Sequence, residues 1–85
     1  MLEKNLELKC CKYAKAKGYL TYKFVSPANK GVPDRIFMLR GKVFFVEFKS
    51  EKGKLSKLQE YQIARIKEHV DVYVINNFED FKELI

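Results

Sequence analysis

Apolar positions at the start of the chain recur at helical spacing. Leu2, Leu6, Cys10 and Tyr13 fall on one face with lysines elsewhere, which predicts a helix over residues 2–17, stopped by Gly18. The period then changes. Tyr19–Val25 (YLTYKFV) is rich in aromatic and β-branched residues and predicts a strand, and Ser26–Pro33 (SPANKGVP) reads as a turn-rich loop. Asp34–Leu39 and Lys42–Lys49 read as two strands around the turn signal Arg40-Gly41. After a loop over Ser50–Leu55, a second helix is expected from Ser56 to His69, then a strand over Val70–Ile75 and a short closing helix over Phe78–Leu84. The order α-β-β-β-α-β-α predicts an α/β fold in which helices flank a mixed sheet. Without repeats, linkers or low-complexity tracts, residues 1–85 are expected to form one domain.

Two acids interrupt the apolar runs of the predicted hairpin. A turn centred on Arg40-Gly41 sets Leu39 opposite Lys42, Phe37 opposite Phe44 and Asp34 opposite Glu47. Like charges directly opposed across a ladder are destabilising, so the pair asks for a cation between them. Glu47 and Lys49 project from one face of their strand, and the carbonyl of Phe48 lies between them. Two carboxylates, a carbonyl and waters suit a hard divalent ion, Mg²⁺ or Mn²⁺, which activates water and stabilises charge on a phosphodiester. Lys49 would orient or deprotonate that water or stabilise the phosphorus centre. Taken singly, Asp34 reads as a strand cap after Pro33, and Glu47 and Lys49 as solvent-facing residues of an edge strand. Their meeting across the ladder favours the metal site.

Charge adds a partner to this picture. With 17 basic and 11 acidic residues the chain carries +6, which favours a polyanion such as nucleic acid. Lys23, Lys30 and Arg35 bracket the acids, and Lys52 and Lys54 occupy the loop that follows, so these are the expected phosphate contacts. The adjacent Cys10 and Cys11 cannot form an unstrained disulfide within a helix, which predicts reduced thiols and a cytoplasmic setting. One histidine and no spaced Cys/His set argue against zinc. No apolar stretch approaches the roughly 20 residues of a membrane span, and the charged start MLEKNLELK does not read as a signal peptide.

Pro33-Asp34 followed by Glu47-Phe48-Lys49 resembles the PD-(D/E)XK nuclease motif. The wider run KFVSPANKGVPDRIFMLRGKVFFVEFKSEKGKLSKLQ is similar to the VRR-NUC domain, the virus-type replication-repair nuclease family. Gly-Val-Pro before the aspartate and Gly-Lys-Leu-Ser-x-x-Gln after the lysine carry most of the likeness. It spans nearly the whole chain and resembles the stand-alone form typical of phage genomes, which implies a location in the bacterial host cytoplasm. The resemblance implies a restriction-endonuclease-like core and metal-dependent endonuclease activity. For stand-alone members it implies homodimers related to Holliday-junction resolvases.

Carried over by residue, Asp34 and Glu47 would bind metal and Lys49 would be the catalytic lysine. Gln59 matches the family's helix-borne glutamine. Its context also fits a capping box, Ser56-Lys57-Leu58-Gln59, so cap and orientation of a metal-bound water both stand. Glu7 resembles in position the family's glutamate on the first helix, a further metal ligand, while Glu3, one turn earlier, competes for the same role. Ser26 and Asn29 would hydrogen-bond a phosphate, on the resemblance. The expected function is hydrolysis of DNA, with four-way junctions the favoured substrate. The alternatives are a non-catalytic nucleic-acid-binding module and a nuclease acting on linear duplex or RNA. Phe78, Phe81 and Leu84 on the closing helix, with Val70, Val72 and Val74, exceed what one small globule is expected to bury. They suggest an interface with a second copy through the final strand, the last helix or the sheet edge.

Overall fold

The structure, a computed structural model, describes residues 2–85; Met1 of the expected domain lies outside them. The elements appear in the expected order: α1 (Glu3–Ala16), β1 (Leu20–Lys23), β2 (Arg35–Leu39), β3 (Lys42–Phe48), α2 (Lys57–Lys67), β4 (Asp71–Ile75) and α3 (Phe78–Leu84). The strands form one mixed sheet in the order β1-β2-β3-β4. The first two pairings are antiparallel and β3–β4 is parallel, with α2 as the crossover.

The hairpin register is the one the turn predicts. Arg40 and Gly41 have φ of 46° and 91°, the paired positive values of the two-residue turn whose twist suits adjoining strands. Leu39 faces Lys42 and Phe37 faces Phe44, and the ladder closes at Arg35–Val46. Asp34 therefore stands one step beyond the ladder, not within the strand as expected. Its main chain meets β1's end instead, where the Phe24 N–H donates to the Asp34 carbonyl at 2.8 Å. The other expected ends shift for similar reasons. The Tyr19 and Val70 amides close the last turns of α1 and α2, donating to Ala14 and Ile66, so the strands begin later.

Alternation along β3 divides the molecule into two layers. Phe44, Val46 and Phe48 face α1 and α3, where Leu6, Cys10, Cys11 and Ala14 of α1 and Phe81 of α3 complete a buried core. Phe37 and Phe44 stack with centroids 5.3 Å apart, and Phe81 lies 5.3 Å from Phe37. Burial pushes the Cys10 thiol up to about 12 and raises that of Cys11, so both free thiols act as small core residues. Leu2, expected on the buried face of the first helix, precedes α1 and is exposed.

The expected apolar surplus at the C-terminus is largely used within the chain. Phe81 is fully buried, Val72 is buried, and Phe78 packs edge-on to Tyr13 at 5.2 Å. Exposed apolar side chains lie elsewhere, at Leu20, Tyr22 and Val43 on the sheet face that α2 leaves open, and at Val74.

The second layer is thin. Ile63 is the only buried residue of α2, which packs against β4 and is fixed at its N-terminus by polar and backbone contacts. Gly31 makes one of these possible. A Cβ there would stand 2.8 Å from the Leu58 carbonyl oxygen and 3.1 Å from the Gln59 nitrogen, at a φ of +91°. Gly31→Ala is expected to cost roughly 2–4 kcal/mol by combining that collision with an unfavourable backbone. Gly41→Ala, with the same φ and open space around it, should cost only about 1–2 kcal/mol. Urea unfolding of the two variants measures the difference.

Candidate active site

The two hairpin acids come together at the end of β3. Asp34 is held by an accepted hydrogen bond, 2.8 Å from the Phe48 N–H to its Oδ2. Phe48, whose carbonyl the sequence offers as a ligand, thus fixes one acid through its amide while its ring enters the opposite core. Glu47, next to it, points toward α2 and is 2% exposed. Its Oε2 accepts from Gln59 Nε2 at 3.1 Å and lies 3.8 Å from Lys49 Nζ. Its Oε1 is buried with no hydrogen-bond partner.

Gln59 makes the expected cap and also reaches the carboxylate of Glu47. Its Oε1 accepts from the Ser56 N–H at 2.9 Å, while its own N–H donates to Ser56 Oγ at 3.1 Å, completing a capping box. The remaining amide nitrogen is free to reach Glu47. A glutamine suits this position because one end must accept from a backbone amide while the other donates to a carboxylate.

Electrostatics confirm that the acids feel each other. Burial first, and the Asp34 charge second, raise Glu47 from 4.5 to about 7 against the opposing pull of Lys49. Burial also raises Asp34, against the stabilising Phe48 N–H. Glu3 and Glu7 push both carboxyls in the same direction.

The other expected site residues divide into two groups. Glu7 is close to the acids but already paired: its Oε2 accepts from Arg35 Nε at 2.8 Å and from Lys23 Nζ at 3.3 Å. Two expected phosphate contacts are thereby joined to the expected helix acid. Glu3, its rival, is exposed in the first turn of α1. Lys30, Lys52 and Lys54 are exposed around the site. Ser26 and Asn29 bond to one another, from Asn29 Nδ2 to Ser26 Oγ at 2.9 Å, and so brace the loop before Pro33.

Among the described residues, no three His, Cys, Asp or Glu side chains gather closely enough to hold a metal ion on their own. A cation would rest on Asp34, Glu47 and oxygens that are not carboxylates, for which the Phe48 carbonyl is placed by sequence. The donor chemistry fits a hard divalent ion. Two adjacent carboxyls have raised proton affinity, and one buried oxygen lacks any partner, as expected where a cation completes the charge balance.

The fold and this arrangement define a nuclease-type α/β domain. The VRR-NUC domain model matches residues 4–78, and the chain belongs to that family. A solved VRR-NUC domain superposes with a TM-score of 0.87 at 28% identity, covering 99% of this chain and 94% of that one. "Putative nuclease p44" of Acyrthosiphon pisum secondary endosymbiont phage 1 is 46% identical over 50 residues, which make up 58% of this chain. The match spans 54% of that protein, about half its length. No helix among the described residues is long and apolar enough to cross a membrane.

The buried glutamate makes a sign-definite prediction for the metal-free protein. Between 4.5 and about 7 the folded chain binds a proton at Glu47 that the unfolded chain does not. Stability therefore falls as pH rises through that window, and above it the full deficit applies, about 3 kcal/mol. Asp34 acts in the same direction. With chelator present, the melting temperature should be higher at about pH 5 than at about pH 7.5. Glu47→Gln should remove most of that dependence and raise the melting temperature at the higher pH. A wild-type profile that rises from acid to neutral pH would contradict the assignment.

Proposed function

We propose that the protein is a metal-dependent endonuclease that hydrolyses DNA phosphodiester bonds, with branched DNA such as a four-way junction as its favoured substrate. One observation carries the reading: Asp34 and a buried, half-partnered Glu47 lie side by side, with Lys49 against the latter. A non-catalytic binding module has no use for this arrangement, since burying Glu47 beside another acid weakens the fold.

Asp34 and Glu47 would hold Mg²⁺ or Mn²⁺, which when bound supplies an activated water and neutralises charge on the phosphate. The chain's own groups do the positioning. Gln59 fixes the rotamer of Glu47 through one oxygen and leaves the other free, and Phe48 does the same for Asp34. Lys49 is anchored through its backbone N–H to the Ile75 carbonyl at 2.9 Å. From there its ammonium offers a proton donor and positive charge to the phosphate oxygens. Glu7 holds Arg35 and Lys23 beside the acids, and Lys30, Lys52 and Lys54 extend the basic surface from which a phosphate backbone is bound.

A radius of gyration of 12.2 Å leaves one copy room for little more than a single duplex arm. A homodimer would present two sites to opposing strands. The open sheet face bearing Leu20, Tyr22 and Val43 supports this reading better than the closing helix, whose aromatic residues are already packed.

Four measurements test the reading. Mg²⁺ or Mn²⁺ should raise the melting temperature of the wild type and leave Asp34→Ala unmoved; equal shifts would remove the metal site. Lys49→Ala should lower cleavage at least a hundredfold while keeping DNA affinity within a fewfold, because one cation among many adds little to phosphate attraction. A gel comparing four-way junction, linear duplex, single strand and RNA, with and without Mg²⁺, reads the substrate. The expected solution mass is twice 10.1 kDa. A monomer cutting linear duplex as fast as junctions would leave the nuclease and remove the junction preference.

A further inference from the structure

A second concavity lies beside the acids, between the loop after β1 and the outer part of α2. Its volume is about 680 Å³, and it is lined by Phe24, Asn29, Gln62, Arg65, Glu68 and His69 among others. That volume falls within the range of sites that enclose small molecules. Of the lining residues, only Ser26 and Asn29 are among those expected to serve the acids. The cleft is nonetheless tied to them on both walls. The Phe24 N–H donates to the Asp34 carbonyl, and the loop meets α2 at Gly31, against Leu58 and Gln59.

We infer that this cleft receives one unpaired nucleotide of the DNA strand next to the bond being cut. The inference takes its ligand class from the nuclease reading above, and its chemistry from the lining. Phe24 packs edge-on against Phe45, with centroids 5.0 Å apart, and remains part-exposed. It offers an aromatic surface of the kind on which bases stack, a contact indifferent to base identity. The carboxamides of Asn29 and Gln62 are donor–acceptor pairs that match base edges. Arg65 is held at the rim, its Nη1 donating to Tyr61 Oη at 2.8 Å with the guanidinium 5.4 Å from the ring. With His69 it offers donors to a phosphate, whereas Glu68 keeps the lining from being a simple anion trap. Along α2, Gln62 and Arg65 stand about 4.5 Å and 9 Å beyond Gln59. That is one to three nucleotide steps at the 3.4 Å rise of a strand.

Base pairing would deny the cleft its ligand, because a paired base cannot leave the stack without an unstacking cost of a few kcal/mol. A flap or mismatch offers a base without that pairing, and a pair at a strand exchange point, where stacking is interrupted, opens at a lower cost, so the cleft gives this chain a physical reason to prefer branched DNA.

The test is a titration of the isotopically labelled, chelator-treated full chain, followed by NMR. Deoxyadenosine monophosphate should move the side-chain amide signals of Asn29 and Gln62 and the backbone signal of Phe24, saturably. Deoxyribose 5-phosphate should move Arg65 and His69 without them. Gln62→Ala should weaken nucleotide binding about tenfold at unchanged melting temperature. Equal responses to the two ligands would reduce the cleft to a phosphate site, and shifts confined to other surfaces, or none, would remove it. A loss below twofold in Gln62→Ala would also overturn the inference. No step of the titration requires cleavage. An inactive protein that still passes would therefore count against the nuclease reading alone.

Discussion

The structure depends on keeping a carboxylate where carboxylates are costly. Glu47 occupies a strand whose neighbouring side chains are core aromatics and valine, and its own side chain is almost wholly removed from water. Nothing in the packing requires an acid there, and a glutamine or leucine would be less costly to bury. The groups around it make the position tolerable without neutralising it: one amide donor, one ammonium at the limit of ion-pair distance, and a second acid that makes matters worse. Local instability of this kind, confined to one point of an otherwise well-packed sheet, marks a site built for something that binds there.

The two layers share the work unequally. Aromatic rings of the sheet and α3 pack with the aliphatic and cysteine side chains of α1 into one buried core. The opposite layer has little hydrophobic attachment, and α2 owes its placement to its first turn. Gln59 is central because it ends the helix and orients Glu47 with the same side chain. Helix position and carboxylate position are thus coupled without any large contact area.

Much of this was legible in the chain because the hairpin turn leaves few choices. Once Arg40-Gly41 is recognised as a two-residue turn, the partners of Phe37 and Phe44 follow, and Asp34 must arrive beside Glu47. What could not be read was how the pairing ends, since Asp34 exchanges its ladder position for the Phe48 amide. The cap of Gln59 is legible because its partner Ser56 is local, whereas its bond to Glu47, twelve residues away, is not written in the sequence context. Position on α1 singles out Glu7, but its pairing with Lys23 and Arg35 brings together three elements distant in sequence. The closing helix looked surplus because its aromatics could not be matched to Tyr13 and Phe37 in advance. The cleft has no signature in the sequence for a similar reason: Phe24 is far along the chain from Gln62 and Arg65 of α2, and together they form no motif.

The sheet's mixed pairing also orders events in time. Strands β2 and β3 are separated by only two residues, so their contact closes a minimal loop, whereas β3 meets β4 only after the chain has traversed α2. Loop closure alone would then draw the two acids together before the glutamine that steadies one of them arrives. A hairpin formed first would carry their repulsion, which would slow folding more than it would speed unfolding.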